Sequence, residues 1–144
     1  MNYYFAKNYL DEKKVDTKPM RDGAGIGMAE LGETKKDMVV LAADTAESSR
    51  AHYFAKKFPE RFIQCGVAEQ NLIGISAGLS YQGKVPYAVT YAPFLIGRPW
   101  EPIRTIIAYP ERHVVFVSSH AGLATGPDGP THQMTEDIAL ARCL

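Results

Sequence analysis

Four short apolar runs alternate with stretches of helical spacing, and that alternation leaves few architectures open to this chain. The run Met38-Val39-Val40-Leu41-Ala42-Ala43, closed by Asp44, reads as a buried strand, and residues 61–65, 85–91 and 113–118 read the same way. Residues 50–58, 68–79 and 94–108 carry helical spacing between them. A first helix is expected from Pro19 through Met28, Ala29 and Leu31 to near Gly32, and a last one from near Thr131 to the end. Strands without interruption by charge, each followed by a helix, predict an α/β fold: a parallel sheet with helices on both faces. Right-handed crossovers then bring the loops after the strands to one edge, where helix N-termini and free amides collect. Residues 44–49, 66–71, 91–94 and 118–132, the polar stretches of the chain, fall on that edge.

With 144 residues there is room for one hydrophobic core, expected over residues 19–144 behind an N-terminal arm of residues 1–18 that mixes aromatics with charges. Sixteen basic and 16 acidic residues cancel, without a lysine or arginine stripe, which argues against nucleic acid or a membrane surface as partner. No apolar run approaches bilayer length, and Met1-Asn2-Tyr3-Tyr4 does not open a secretion signal, so a soluble, cytoplasmic protein is expected. Cys65 and Cys143 lack metal-ligand spacing and read as reduced, buried packing residues.

Three segments carry titratable or aromatic groups at the ends of predicted strands. Glu69 stands in Gly66-Val67-Ala68-Glu69-Gln70-Asn71, where a strand gives way to an apolar helix. The helix macrodipole alone would favour a carboxylate there. Phe94 stands in Thr90-Tyr91-Ala92-Pro93-Phe94-Leu95, with Trp100 near enough in sequence to line the same pocket; a core phenylalanine at a turn is the plainer account. The loop from Ser119-His120 to Asp128-Gly129-Pro130-Thr131-His132-Gln133 holds two imidazoles and a carboxylate, while its glycines and prolines forbid a regular helix. No third ligand at a suitable spacing supports a metal site. Capping by Asp128 or Thr131 is compatible with either role. The run Gly23-Ala24-Gly25-Ile26-Gly27 precedes the first strand instead of following one, so it fails the geometry of a dinucleotide-binding turn.

In their order and spacing these segments resemble the pyrimidine-binding domain of the transketolase family, over roughly residues 19–144, and most closely transketolases encoded in two halves. The resemblance implies thiamine diphosphate as cofactor. Glu69 would then hydrogen-bond the aminopyrimidine ring, where a carboxylic acid favours the imino tautomer that takes the proton from the thiazolium carbon. Phe94 would stack on that ring, with Asp44 nearby. His120, Asp128 and His132 would bind the sugar and move protons, and Arg21 and Ser48 match positions that hold the substrate phosphate. The implied reaction is transfer of a two-carbon ketol unit between sugar phosphates. The family's Gly-Asp-Gly segment, which holds magnesium and the diphosphate, does not occur here, so a pyrophosphate-binding N-terminal subunit is the implied partner, and a homodimer is expected. A second aromatic that the family places three residues after the stacking one is replaced by Gly97. A 1-deoxy-D-xylulose-5-phosphate synthase domain and a truncated, non-catalytic interaction module remain the alternatives.

Overall fold

The computed structural model describes residues 9–11, 13, 15 and 17–144, so the expected N-terminal arm lies for the greater part outside the described residues. Beyond it the chain runs α1 (Met20–Thr34), β1 (Met38–Ala42), α2 (His52–Lys57), β2 (Phe62–Gln64), α3 (Glu69–Tyr81) and β3 (Val85–Tyr91). A wide, π-helical stretch follows over Pro93–Gly97 and Ile103–Ala108, with the short turn α4 (Trp100–Pro102) between its two parts, then β4 (Val115–Ser119) and α5 (Asp137–Ala141). The four strands form one sheet in the order β2-β1-β3-β4, and every pairing is parallel.

All five residues of β1 are buried, and four of them divide between two different cores. Val39 and Leu41 join Ala88 of β3 on one face, under Leu72, Ile73 and Ala77 of α3 and Leu95, Ile103 and Ile107 of the π-helical stretch. Met38 and Val40 join Val89 on the other face, under Met28 of α1 and Phe54 of α2. The period of two that sends neighbouring side chains to opposite faces is thus intact inside an uninterrupted apolar run. Pro86, fully buried in β3, pairs with Val39 on one side, and the ladder with β4 begins only at Tyr87 opposite Val115, so the missing N–H interrupts no bond there.

Helices α1 and α2 approach closely because α1 presents glycines at the contact. A Cβ on Gly25 would lie 2.5 Å from Arg50 Cβ and 2.6 Å from the Arg50 carbonyl oxygen, and one on Gly32 would lie 2.6 Å from the rings of Phe54 and Phe58. Within the glycine run that fails as a dinucleotide turn, Gly25 is therefore a packing position, while Gly23 and Gly27 have open space around them. Arg50 reinforces the contact by donating from Nε to Asp22 Oδ1 at 2.6 Å.

Three expectations change. Residues 94–108 do not form one α-helix, because Pro99 and Pro102, like Pro93 before them, supply no N–H and obstruct an ordinary i to i−4 ladder. The last helix starts at Asp137 and not near Thr131: Met134 exchanges backbone bonds with Gly122, N–H to O at 2.6 and 3.1 Å, and so holds the chain extended, leaving a single 3-10 turn at Pro130–His132. Cys143 is exposed, while Cys65 is partly buried and the pKa of its thiol is raised by loss of hydration.

Candidate functional site

The C-terminal ends of the strands carry the candidate residues. Chain direction reverses there: α2, after β1, covers one face, while α3 and the π-helical stretch, after β2 and β3, cover the other, and the crevice between two such departures is the usual ligand position in an open parallel sheet.

Glu69 opens α3 and its side chain is only 5% exposed. Its Oε1 accepts from Arg98 Nη1 at 2.9 Å, and Arg98 itself is half exposed. The two residues, with Ala68, Gln70 and Asn71, line an open cleft of about 560 Å³. The same guanidinium lies over the Phe94 ring, 4.2 Å from its centroid. His132 meets Phe94 edge-on at 5.0 Å and 81°, and Tyr91 stacks beside Phe94 at 5.8 Å and 12°. Tyr91 also stacks on His120, with ring centroids 3.9 Å apart. His120 closes the series by accepting from Arg21 Nη1 at 3.2 Å, 99 residues away in sequence. Carboxylate, guanidinium, aromatic pair, two imidazoles and a second guanidinium thus form one continuous rim built from α3, β3 with its following turn, the loop after β4, and α1.

The hydrogen bonds fix the state of His120. Arginine has donors only, so the Nε2 facing Arg21 is unprotonated, and Nδ1 donates to Ser119 Oγ at 2.9 Å. Burial lowers its pKa below the ordinary histidine value, and the Arg21 charge adds to this, while Asp128 opposes it. His132 rests its Nδ1 on Thr131 Oγ1 at 3.0 Å. Gln133 braces the loop by donating from Nε2 to the carbonyls of Thr125 at 3.0 Å and Leu123 at 3.2 Å.

Arg21 and His120 also line a second cleft of about 510 Å³ with Ser49, Ser118 and Ser119. Arg21 Nε is buried there and, among the described residues, has no hydrogen-bond partner. A buried donor left unmatched costs free energy, so an anion reaching this cleft would find a group ready for it.

Not every predicted residue joins the rim. Asp44 stands exposed at the end of β1 in a left-handed conformation, φ 56°, with its backbone N–H bonded to Gln64 Oε1. Ser48 turns its hydroxyl to the Thr45 carbonyl, and the neighbouring Ser49 lines the Arg21 cleft instead. Asp128 is exposed on the loop and reaches His120 through its charge. Trp100 does not line the site: its Nε1 donates to the Leu140 carbonyl at 3.1 Å and so anchors α5. Two participants are not marked by any sequence pattern. Tyr91 supplies the second ring three residues before Phe94, whereas the resemblance points to a position three residues after it. Arg98 belongs to no motif, and its contacts arise only when the turn after β3 folds over the start of α3.

The family model for the transketolase pyrimidine binding domain matches residues 16–144. The chain belongs to that family. This pyrimidine-binding domain is 49% identical over 127 residues to a Methanocaldococcus jannaschii protein named for the C-terminal section of a transketolase, a match covering 88% of this chain and 40% of that protein. It is 36% identical over 115 residues to one of the subunits of the apulose-4-phosphate transketolase of Phocaeicola vulgatus, covering 80% of this chain and 37% of the relative. Among solved structures it resembles a split-gene transketolase described as an inactive beta4 tetramer, with TM-score 0.73, 47% identity, 86% of this chain and 39% of that chain. The transketolase of Leishmania mexicana superposes with TM-score 0.78 at 27% identity, over 92% of this chain and 21% of its own. The domain therefore spans about two fifths of the length of the split relatives it matches. Among the described residues no helix is long and apolar enough to cross a membrane.

Proposed function

We propose that this domain provides the aminopyrimidine and sugar-binding half of a thiamine-diphosphate site in a two-subunit transketolase, acting on sugar phosphates. The observation that carries the reading is the buried carboxylate of Glu69, which opens a helix and is joined through Arg98 to the Phe94 ring and through that ring to His132. Thiamine diphosphate, when bound, supplies the electron sink for breaking and making a carbon–carbon bond next to a carbonyl. The donor set fits its aminopyrimidine part: Glu69 offers a carboxyl group to a ring nitrogen, and Phe94 offers a flat apolar face.

Glu69 holds or gives a proton at its carboxyl oxygen. His120 is held neutral, with its Nδ1 proton committed to Ser119 and its Nε2 lone pair to Arg21, and it becomes a base toward a sugar hydroxyl when Arg21 turns to the substrate phosphate. His132, held by Thr131 and the Phe94 ring, brings a second imidazole to the same rim, and Asp128 offers an acceptor for a substrate hydroxyl. Arg21, with its unmatched Nε, serves the substrate phosphate, with Ser49 lining the same cleft. Magnesium and the diphosphate are assigned to an N-terminal, pyrophosphate-binding partner subunit, a reading supported by the likeness to the split-gene transketolase and to a subunit of a transketolase. A cytoplasmic, dimeric assembly in the pentose phosphate pathway completes the proposal.

The test is ketol transfer from a ketose phosphate to an aldose phosphate by the chain assembled with that partner. Glu69→Ala should lower the rate about 100-fold or more, as expected for loss of a positioned acid–base group. The melting temperature of the variant should stay near that of the wild type. Retention of turnover, or pyruvate serving as the better donor, would refute the assignment.

A further inference from the structure

We infer that Arg98 holds the place of the aminopyrimidine in the ligand-free chain and must leave it before the cofactor can dock. The inference rests on the proposed function, which asks two things of this pocket: a planar group lying flat on Phe94, and an N–H or ring nitrogen hydrogen-bonded to Glu69. In the structure one planar, N–H-bearing group already lies over Phe94 and reaches Glu69. The Arg98 guanidinium is planar, lies 4.2 Å from the Phe94 centroid, and donates from Nη1 to Glu69 Oε1 at 2.9 Å. Guanidinium and aminopyrimidine are alike in being flat, delocalised and edged with N–H donors, so a pocket suited to one is suited to the other.

Physical reasons also make the arrangement temporary. Glu69 is buried and would be left without a partner if the pocket stood open, and a buried unpaired carboxylate is costly. Arg98 relieves that cost while remaining half exposed, so its side chain can turn into water without moving the backbone. The residue before it, Gly97, has open space around its Cβ position. Among the described residues the Arg98 guanidinium makes no hydrogen bond besides the one to Glu69. Arg98 is thus a positioning residue for Glu69 in one state and a competitor for its ligand in the other.

Competition of this kind lowers apparent affinity by the fraction of chains in which the pocket is free. A half-exposed ion pair and one cation–π contact together correspond to about a 3- to 10-fold effect. Titration calorimetry of thiamine diphosphate and magnesium into the chain assembled with its pyrophosphate-binding partner should accordingly show about 3- to 10-fold tighter binding for Arg98→Ala. A second readout follows the side chain directly. The guanidinium nitrogen signal of Arg98 should carry a ring-current shift in the free protein, absent in Phe94→Leu, and should lose it when cofactor is added. Unchanged or weaker binding by Arg98→Ala, or a ring-current shift that survives saturation, would overturn the inference and leave the proposed function standing. Failure of wild type and variant alike to bind would overturn the proposed function and, with it, this role for Arg98.

Discussion

The protonation state of His120 follows from what faces it. Arg21 can only donate, so a proton on Nε2 would set two donors and two positive charges against each other, and burial works in the same direction. Because the folded pKa lies below the unfolded value of 6.5, the unfolded chain binds more protons as the medium is acidified. The stability contributed by neutral His120 is therefore fully present above about pH 6.5 and is lost as pH falls through the folded pKa. Thermal melts from pH 8 to pH 5 should show a fall in the wild type that is blunted in His120→Gln. An identical pH profile in the two proteins would show that the histidine is not held neutral. Sequence suffices at this scale for Glu69, Phe94 and the two histidines, because each sits in a run whose neighbours mark it. Arg98 and Ser49 are not singled out by it, because their part depends on distances across loops that no local pattern encodes, and Tyr91 stands in the same run as Phe94 without any sign that its ring joins the site.

At the level of elements, α1 and α2 show how glycine serves packing. Gly25→Ala would place a methyl group against the Cβ and carbonyl of Arg50, and backbone cannot yield as a flexible side chain would. A cost of about 1–3 kcal/mol is expected. Gly78 in α3 has nothing within 4 Å of a Cβ position. Gly78→Ala should therefore stabilise the isolated chain by up to about 1 kcal/mol through helix propensity alone. Denaturant melts of the two variants check both signs, and a neutral Gly25→Ala would mean that the helices can part at no cost. The strands are legible because an apolar run bounded by charge or turn residues has few other uses. The stretch after β3 reads as a plain helix only while its spacing is weighed above its prolines. The start of the final helix cannot be read locally, because the pairing of Met134 with Gly122 that delays it is a tertiary contact.

Across the whole molecule the sheet separates two cores that share no buried residue, one holding Leu72 and the other Phe54. Leu72→Ala and Phe54→Ala should each cost several kcal/mol, about 2–5 and 3–5 respectively. Their effects should add within about 0.5 kcal/mol in the double variant, as for sites without common partners. A larger discrepancy in urea unfolding would mean that the sheet transmits packing strain from face to face. The parallel architecture with helices on both sides can be read from the alternation of elements, whereas the strand order cannot, since nothing local tells β3 to lie beside β1 rather than β2.

The bond between Arg21 and His120 spans 99 residues, while that between Glu69 and Arg98 spans 29. Closing the longer loop requires β4 to have joined the edge of the sheet, so the two halves of the rim come into being at different times. On the ribosome, the carboxylate and its aromatic neighbour can meet while the imidazoles are still unmade. The growing chain thus contains the partner of Glu69 before either imidazole of the rim has been made.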